Sequence, residues 1–160
     1  MTDLRFLALP TAEVRALQSG GPDANGQRPE RQISDGNGNT CRHCLSEIAK
    51  GDAFLVLAHR PFPALQPYAE VGPIFIHAAP CPRYEETAGL PALFQAPERD
   101  AMLVRGYAAN DRIIYGTGQV VEAEALSDAA RMLLARPEVA YLHVRSSTNN
   151  CYQCRIERGV

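Results

Sequence analysis

No apolar run in this 160-residue chain approaches the ~18–20 residues that a helix needs to cross a bilayer. The start, Met1-Thr2-Asp3-Leu4-Arg5, lacks the basic segment and long apolar stretch of a secretory signal. A basic surplus is missing too. Sixteen Lys and Arg face 18 Asp and Glu, for a net charge of -2, whereas a nucleic-acid binder normally shows a basic face. There is no internal repeat and no linker to a second domain. These absences lead us to expect a cytoplasmic protein with neither a membrane nor a nucleic-acid partner. We further expect a single domain over residues 1–160, long enough to bury a proper core.

Five cysteines stand out against that plain background. In the cytoplasm they are better read as thiols, metal ligands or redox groups than as structural disulfides. Their odd number agrees, since one would be left without a partner.

Taken in order, residues 4–8 read as a short strand. Pro10 and Thr11 open a helix with Thr11 placed to cap it. Residues 19–40 are rich in Gly, Asn, Asp and Pro, predicting a long mobile loop with one short strand near Arg31–Ile33. Residues 53–58 and 71–78 are apolar strands, and the stretch 83–100 is rich in turns. Residues 102–107 and 113–115 suggest a hairpin across Ala109-Asn110-Asp111. The strongest helix runs from Glu122 to Arg136, with Ala125, Leu126, Ala129, Ala130, Leu133 and Leu134 as its apolar stripe. Residues 139–144 and 151–157 close the chain as a second hairpin. Strands outnumber helices and do not alternate with them. The expected class is α+β, with two or three helices and a mostly antiparallel sheet that could curl into a barrel.

Cys41-Arg42-His43-Cys44 is the first chemical motif. Two thiolates on a tight turn can share one Zn²⁺, and a structural site needs two further Cys or His ligands. The stretch Cys41–Gly51 has the form of a zinc knuckle, with Ile48 four residues after the second Cys and a Gly before the next strand. Cys151 and Cys154 are one completion of the set. Strand geometry opposes it, because side chains i and i+3 on a regular strand point to opposite faces. Cys154 would then join Tyr152 and Ile156 on a core face unless a bulge intervened. A different set, Cys41 and Cys44 with some of Cys81, Cys151 or a His, stays open. So does a thiol–disulfide role, since the motif has the C-x-H-C form of an exchanger. That role wants a helix N-terminus behind the first Cys, and Gly51 leaves barely two turns.

A second constellation follows from strand parity. If Leu142 and Val144 face the core, Tyr141, His143 and Arg145 face away from it. If the 71–78 strand lies beside them, His77, His143, Arg145 and Cys151 share one sheet face, with Cys81 over its rim. His77, His143 and Arg145 would there bind a small-molecule or anionic ligand. Cys81 or Cys151, activated by His77 or His143, would make the site that of a Cys-dependent enzyme.

The segments CRHCL, PYAEVGPIFIHAAPC, LVRGY, IIYGTG and HVRSSTNNCYQCRIERG resemble a family of small bacterial proteins. It is catalogued as a domain of unknown function, number 1203. The resemblance covers residues 31–158 in order and implies a bacterial single-domain protein without an assigned activity. It also implies that Cys41, Cys44, His77, Cys81, His143, Arg145 and Cys151 belong to the family pattern more typically than Cys154 does.

Overall fold

In the computed structural model, which describes residues 3–95 and 101–160, the opening strand and helix form as the sequence suggests. Met1, Thr2 and residues 96–100 of the turn-rich stretch 83–100 lie outside the described residues. Strand β1 spans Leu4–Leu7 and helix α1 spans Thr11–Gln18. Val14 and Leu17 are the buried positions of α1. Thr11 does not cap it. Pro10 takes the cap position with no side-chain bond, and the Thr11 hydroxyl reaches His43 instead.

Strands β2 (Glu30–Ile33), β3 (Ala53–His59) and β4 (Gly72–His77) form a three-stranded sheet in that order. Within the 19–40 segment, the Asp23 carboxylate accepts the N–H of Ala58, Gln27 and Asn25. Strands β5 (Ala101–Tyr107), β6 (Gln119–Glu122), β7 (Tyr141–Ser146) and β8 (Tyr152–Arg158) join β1 in a second sheet, ordered β1-β8-β7-β5-β6. Every pairing is antiparallel. The class is α+β as expected, and the larger sheet stays open, with β1 and β6 as its edges. Among the described residues no helix is long and apolar enough to cross a membrane.

Helix α2 (Leu126–Leu134) is shorter than its predicted span. Residues 119–122 are taken by β6, and Ala123–Ala125 form a 3₁₀ turn. Leu126, Ala130, Leu133 and Leu134 fall at i, i+4, i+7 and i+8, a single stripe. They share the main core with Phe6, Met102, Val104, Leu142, Val144, Cys154 and Ile156. Each large apolar side chain buried there contributes about 1.5–3 kcal/mol.

The parity expected for β7 holds. Leu142 and Val144 enter the main core, while Tyr141 packs with Phe62 and Tyr107 on the other side. All five residues from Tyr141 to Arg145 are buried, so this part of β7 has no solvent face. On β8 the parity breaks. Val144 opposes Cys154 and Arg145 opposes Tyr152, which leaves Gln153 as the extra residue of a bulge. Cys154 and Ile156 face the main core as expected. Tyr152 does not, and packs instead against the apolar residues of the smaller sheet.

Two further expectations need correction. The turn at residues 108–112 forms, but Ile113 makes only an isolated bridge to Tyr107, and β5 takes β6 as its strand partner. Strand β4 pairs with β3 in the smaller sheet, not with the closing hairpin. The single sheet face expected for His77, His143, Arg145 and Cys151 therefore does not exist.

Gly106 on β5 has a steric reason to be glycine. A Cβ there would lie 3.1–3.2 Å from the side chain of Thr117, whose Oγ1 also accepts the Gly106 N–H at 2.9 Å. We expect Gly106→Ala to destabilise the protein by about 1–3 kcal/mol, the usual cost of overpacking. Urea unfolding would read this as a lowered midpoint. An unchanged midpoint would mean that Thr117 yields freely.

Candidate metal centre

Residues 41–50 form turns and no helix. The Cys41 N–H bonds Ser46 O and the Leu45 N–H bonds Cys41 O, both at 2.9 Å, which folds the motif back on itself. Leu45 sits at φ 52°, in the left-handed region that costs a branched residue roughly 1–2 kcal/mol. Its fully buried side chain in the main core offsets that strain. The Arg42 N–H bonds Phe75 O and so lays the turn along β4. Strand β4 ends at His77, and the chain then bends between Pro80 and Pro82 to bring back Cys81.

The result is a cluster of Cys41, Cys44, His77 and Cys81 whose ligand atoms all lie within 4.8 Å of one another. Cys41 Sγ is 3.9 Å from Cys81 Sγ, and Cys44 Sγ is 3.6 Å from His77 Nδ1. A tetrahedral zinc ion with its usual bond lengths spaces its ligands at about 3.8 Å (S to S) and about 3.6 Å (S to N). Cys41 is buried and the other three ligands are half-buried.

Each sulfur also has a neighbour able to donate to it. The His77 backbone N–H donates to Cys41 Sγ at 3.3 Å. Ser46 Oγ lies 3.0 Å from Cys44 Sγ, and His43 Nδ1 lies 3.1 Å from Cys81 Sγ. Behind His43, Thr11 Oγ1 is 2.9 Å from Nε2. If Nδ1–H donates to a Cys81 thiolate, the Thr11 hydroxyl donates to Nε2 and fixes that tautomer. Burial, then the charge of Arg15, holds His43 below its ordinary pKa. Arg15 Nη2 donates to Cys81 O at 3.0 Å.

Three thiols this close cannot all ionise without a cation. Hydrogen bonds from Cys41 and then Cys81 pull the Cys44 thiol down. Cys41 is pushed up first by its bond to Cys44, and Cys81 first by its bond to Cys41. A divalent ion at the centre would let all three carry charge.

The sequence pointed to Cys41 and Cys44, and both are in the cluster. Cys151 and Cys154 are not, although a bulge does interrupt β8 between Tyr152 and Cys154. Cys154 is a small apolar residue of the main core, and burial raises its thiol. The Cys151 thiol contacts Asn149 O in the β7–β8 turn. The cluster is completed by His77 and Cys81, in line with the alternative set of Cys41 and Cys44 with some of Cys81, Cys151 or a His; the sequence had also suggested both as reactive or ligand-binding groups. His43 was overlooked, although it lies inside the motif. Its signal was the C-x-H-C pattern, read as a redox feature rather than as a hydrogen-bond donor to a third cysteine. All five cysteines are free thiols.

His143 and Arg145 form a separate group. Arg145 is 4% exposed in its side chain, and its Nη2 lies 3.3 Å from His143 Nδ1 and 2.5 Å from Glu70 Oε1. His143 is fully buried among Phe62, Tyr107, Tyr141 and Tyr152, at ring distances of 4.5–5.3 Å. Burial, then Arg145, depresses its pKa well below the ordinary value. It is a neutral acceptor that orients the guanidinium. No cysteine sulfur touches it, so its pairing with a nucleophilic Cys finds no support here. Arg145 opens onto a cleft of about 210 Å³, lined also by His59, Glu70, Gly72, Asn150 and Tyr152.

The sequence model of one family, described as "Protein of unknown function (DUF1203)", matches residues 38–158, and the chain belongs to that family. No curated protein and no solved structure matches the chain.

His59 gives a test of these surroundings. Burial, then the charges of Arg42 and Arg145, push it down to about 4. Between that value and the unfolded pKa of about 6.5, the unfolded chain binds the proton and the folded one does not. The stability tied to neutral His59 is thus complete above pH 6.5 or so and is lost as pH falls toward 4. At pH 4.5 the linkage amounts to about 2.5 kcal/mol. We expect His59→Gln to reduce the loss of stability between pH 7.5 and 4.5 by that order, measured by urea unfolding against wild type. Equal losses in the two proteins would show that His59 is not desolvated.

Proposed function

We propose that this member of the family is a zinc-binding module whose metal is held by Cys41, Cys44, His77 and Cys81. The carrying observation is the approach of those four ligand atoms to within 4.8 Å of one another, with the Cys41–Cys81 and Cys44–His77 pairs at separations that a tetrahedral zinc ion would set. The donor set supports zinc in particular. Three thiolates and one imidazole suit a tetrahedral ion without geometric demands of its own, and carboxylate-preferring cations such as Mg²⁺ or Ca²⁺ are poorly served.

Four protein ligands fill a tetrahedron and leave no position for water or substrate. A closed set of this kind is structural. Its work would be to fasten the 41–50 turn to the end of β4 and to the Pro80–Pro82 bend. With three thiolates the centre carries one net negative charge. Arg15, bound to Cys81 O, lies where it would offset part of that charge.

A Cys-dependent enzyme is the second reading, favoured by one observation. His43 stands 3.1 Å from Cys81 with Thr11 behind it, in the order nucleophile, base, orienting group. The partner is His43, not the His77 or His143 that the sequence suggested. Against this reading, Cys81 is crowded by two other thiols, whereas a nucleophile needs an easily formed thiolate.

Protein purified without chelator or immobilised metal should contain one equivalent of zinc by mass spectrometry. Cys81→Ser and Cys44→Ser should each lose it and melt roughly 10 °C lower or more, since structural zinc contributes folding energy directly. Cys151→Ser should keep both the metal and the melting temperature. Folded wild type with less than about a tenth of an equivalent, or zinc retained by Cys81→Ser, would remove the proposal.

A further inference from the structure

The cleft beside Arg145 shares no lining residue with the thiol cluster, and its chemistry is of another kind. Its floor is a buried cation. Among the described residues, the Nε of Arg145 is buried without a hydrogen-bond partner, although its Nη atoms are engaged by Glu70, His143 and Asn150 O. A buried donor left open in this way has a cost unless a group from outside can meet it.

The acid that answers Arg145 is an unusual choice for a permanent partner. Glu70 lies in the irregular segment between β3 and β4, its side chain is 43% exposed, and one of its oxygens serves both Arg145 and Arg105. It stands at the mouth, where a competing anion could displace it. The surroundings favour such an anion. Arg42, Arg105 and Arg145 supply three fixed positive charges, and His59 and His143 are held neutral. Among the described residues, no hydrogen bond from another group reaches the His59 ring, which lines the same cleft.

We propose that this cleft binds a small organic carboxylate, which takes the place of Glu70 on Arg145. The carboxylate class follows from the group now there. Glu70 shows that the guanidinium is presented to a planar, singly charged acceptor from the cleft side. Its size sets the rest. About 210 Å³ lies below the ~300–1,000 Å³ of sites for drug-sized ligands, so the ligand is a small acid with a short carbon skeleton. Pro61, Val71 and Pro73 supply apolar walls for the skeleton, and His59 can hydrogen-bond a second polar atom.

The test is calorimetric titration of the full chain, with its metal content recorded beforehand, using acetate, succinate and citrate, and inorganic phosphate as a separate arm. Saturable binding of at least one carboxylate is expected. Glu70→Gln removes the internal competitor and should tighten it several-fold. Arg145→Gln should weaken it at least tenfold, the usual scale for a charge-assisted pair. Because Arg145 is buried, that variant could fail to fold, so Gly72→Leu provides a second route. A Cβ at Gly72 meets no atom within 4 Å, so the added side chain should fill the cleft, leave the fold intact and abolish binding. No binding by any of the three acids, binding unchanged in Gly72→Leu, or weaker binding in Glu70→Gln would overturn the proposal. A preference for phosphate over all three acids would overturn the ligand class. Loss of zinc is told apart from loss of the ligand site by the metal content, recorded again after the citrate arm, and by the Cys44 and Cys81 variants.

Discussion

The burial of β7 on both faces is the constraint from which much of this structure follows. One face, Leu142 and Val144, is satisfied in the ordinary way by α2 and the main core. The other carries Tyr141, His143 and Arg145, which no apolar layer could cover without leaving polar atoms stranded. Aromatic rings surround the His143 imidazole, and its Nδ1 accepts from Arg145. The guanidinium then needs an acid, and Glu70 comes from outside both sheets to supply it. A strand with one wet face would have needed none of this.

The bulge at Gln153 belongs to the same solution. On a regular strand Tyr152 would have shared the face of Cys154 and pointed into the main core. One extra residue opposite the Val144–Arg145 step turns Tyr152 the other way, to stand edge-on against His143 and close to His59. The bulge thus supplies an aromatic wall to the cleft, while Cys154 stays a residue of the main core outside the thiol cluster.

Much of this was legible before any coordinates. The α+β class, the closing hairpin, the parity of β7 and the importance of Cys41 and Cys44 all follow from local patterns of period two and 3.6. What escaped is non-local. Whether β4 lies beside β3 or beside β7 is a question of sheet order, and its apolar run fits either place. Once β4 joined the smaller sheet, His77 left the predicted face and arrived among the thiols. Cys81 followed, carried by the bend between Pro80 and Pro82. The bulge has no signature in the residues around it, and the pairing of β5 with β6 overrode the helical pattern that began at Glu122. His59 and Glu70 carried no signal, because a single His at a strand end and a single Glu in a proline-rich segment are ordinary features.

The two candidate sites are far apart in chemistry but share a rigid link, the second residue of the CRHC motif. The Arg42 backbone is bound to β4 through Phe75 O, while its guanidinium crosses to the larger sheet and donates to Tyr152 O at 2.8 Å and to Thr40 O at 2.7 Å. A metal held by Cys41 and Cys44 would fix the backbone on either side of this arginine. The arginine in turn fixes Tyr152 and adds its charge to the field that keeps His59 neutral. Ordering an arginine side chain costs up to about 2 kcal/mol of rotamer freedom, and a backbone that is already immobile spares the separate cost of fixing its anchor. A structural ion at the knuckle would therefore do more than close a loop, because it would hold the inner wall of the cleft in place.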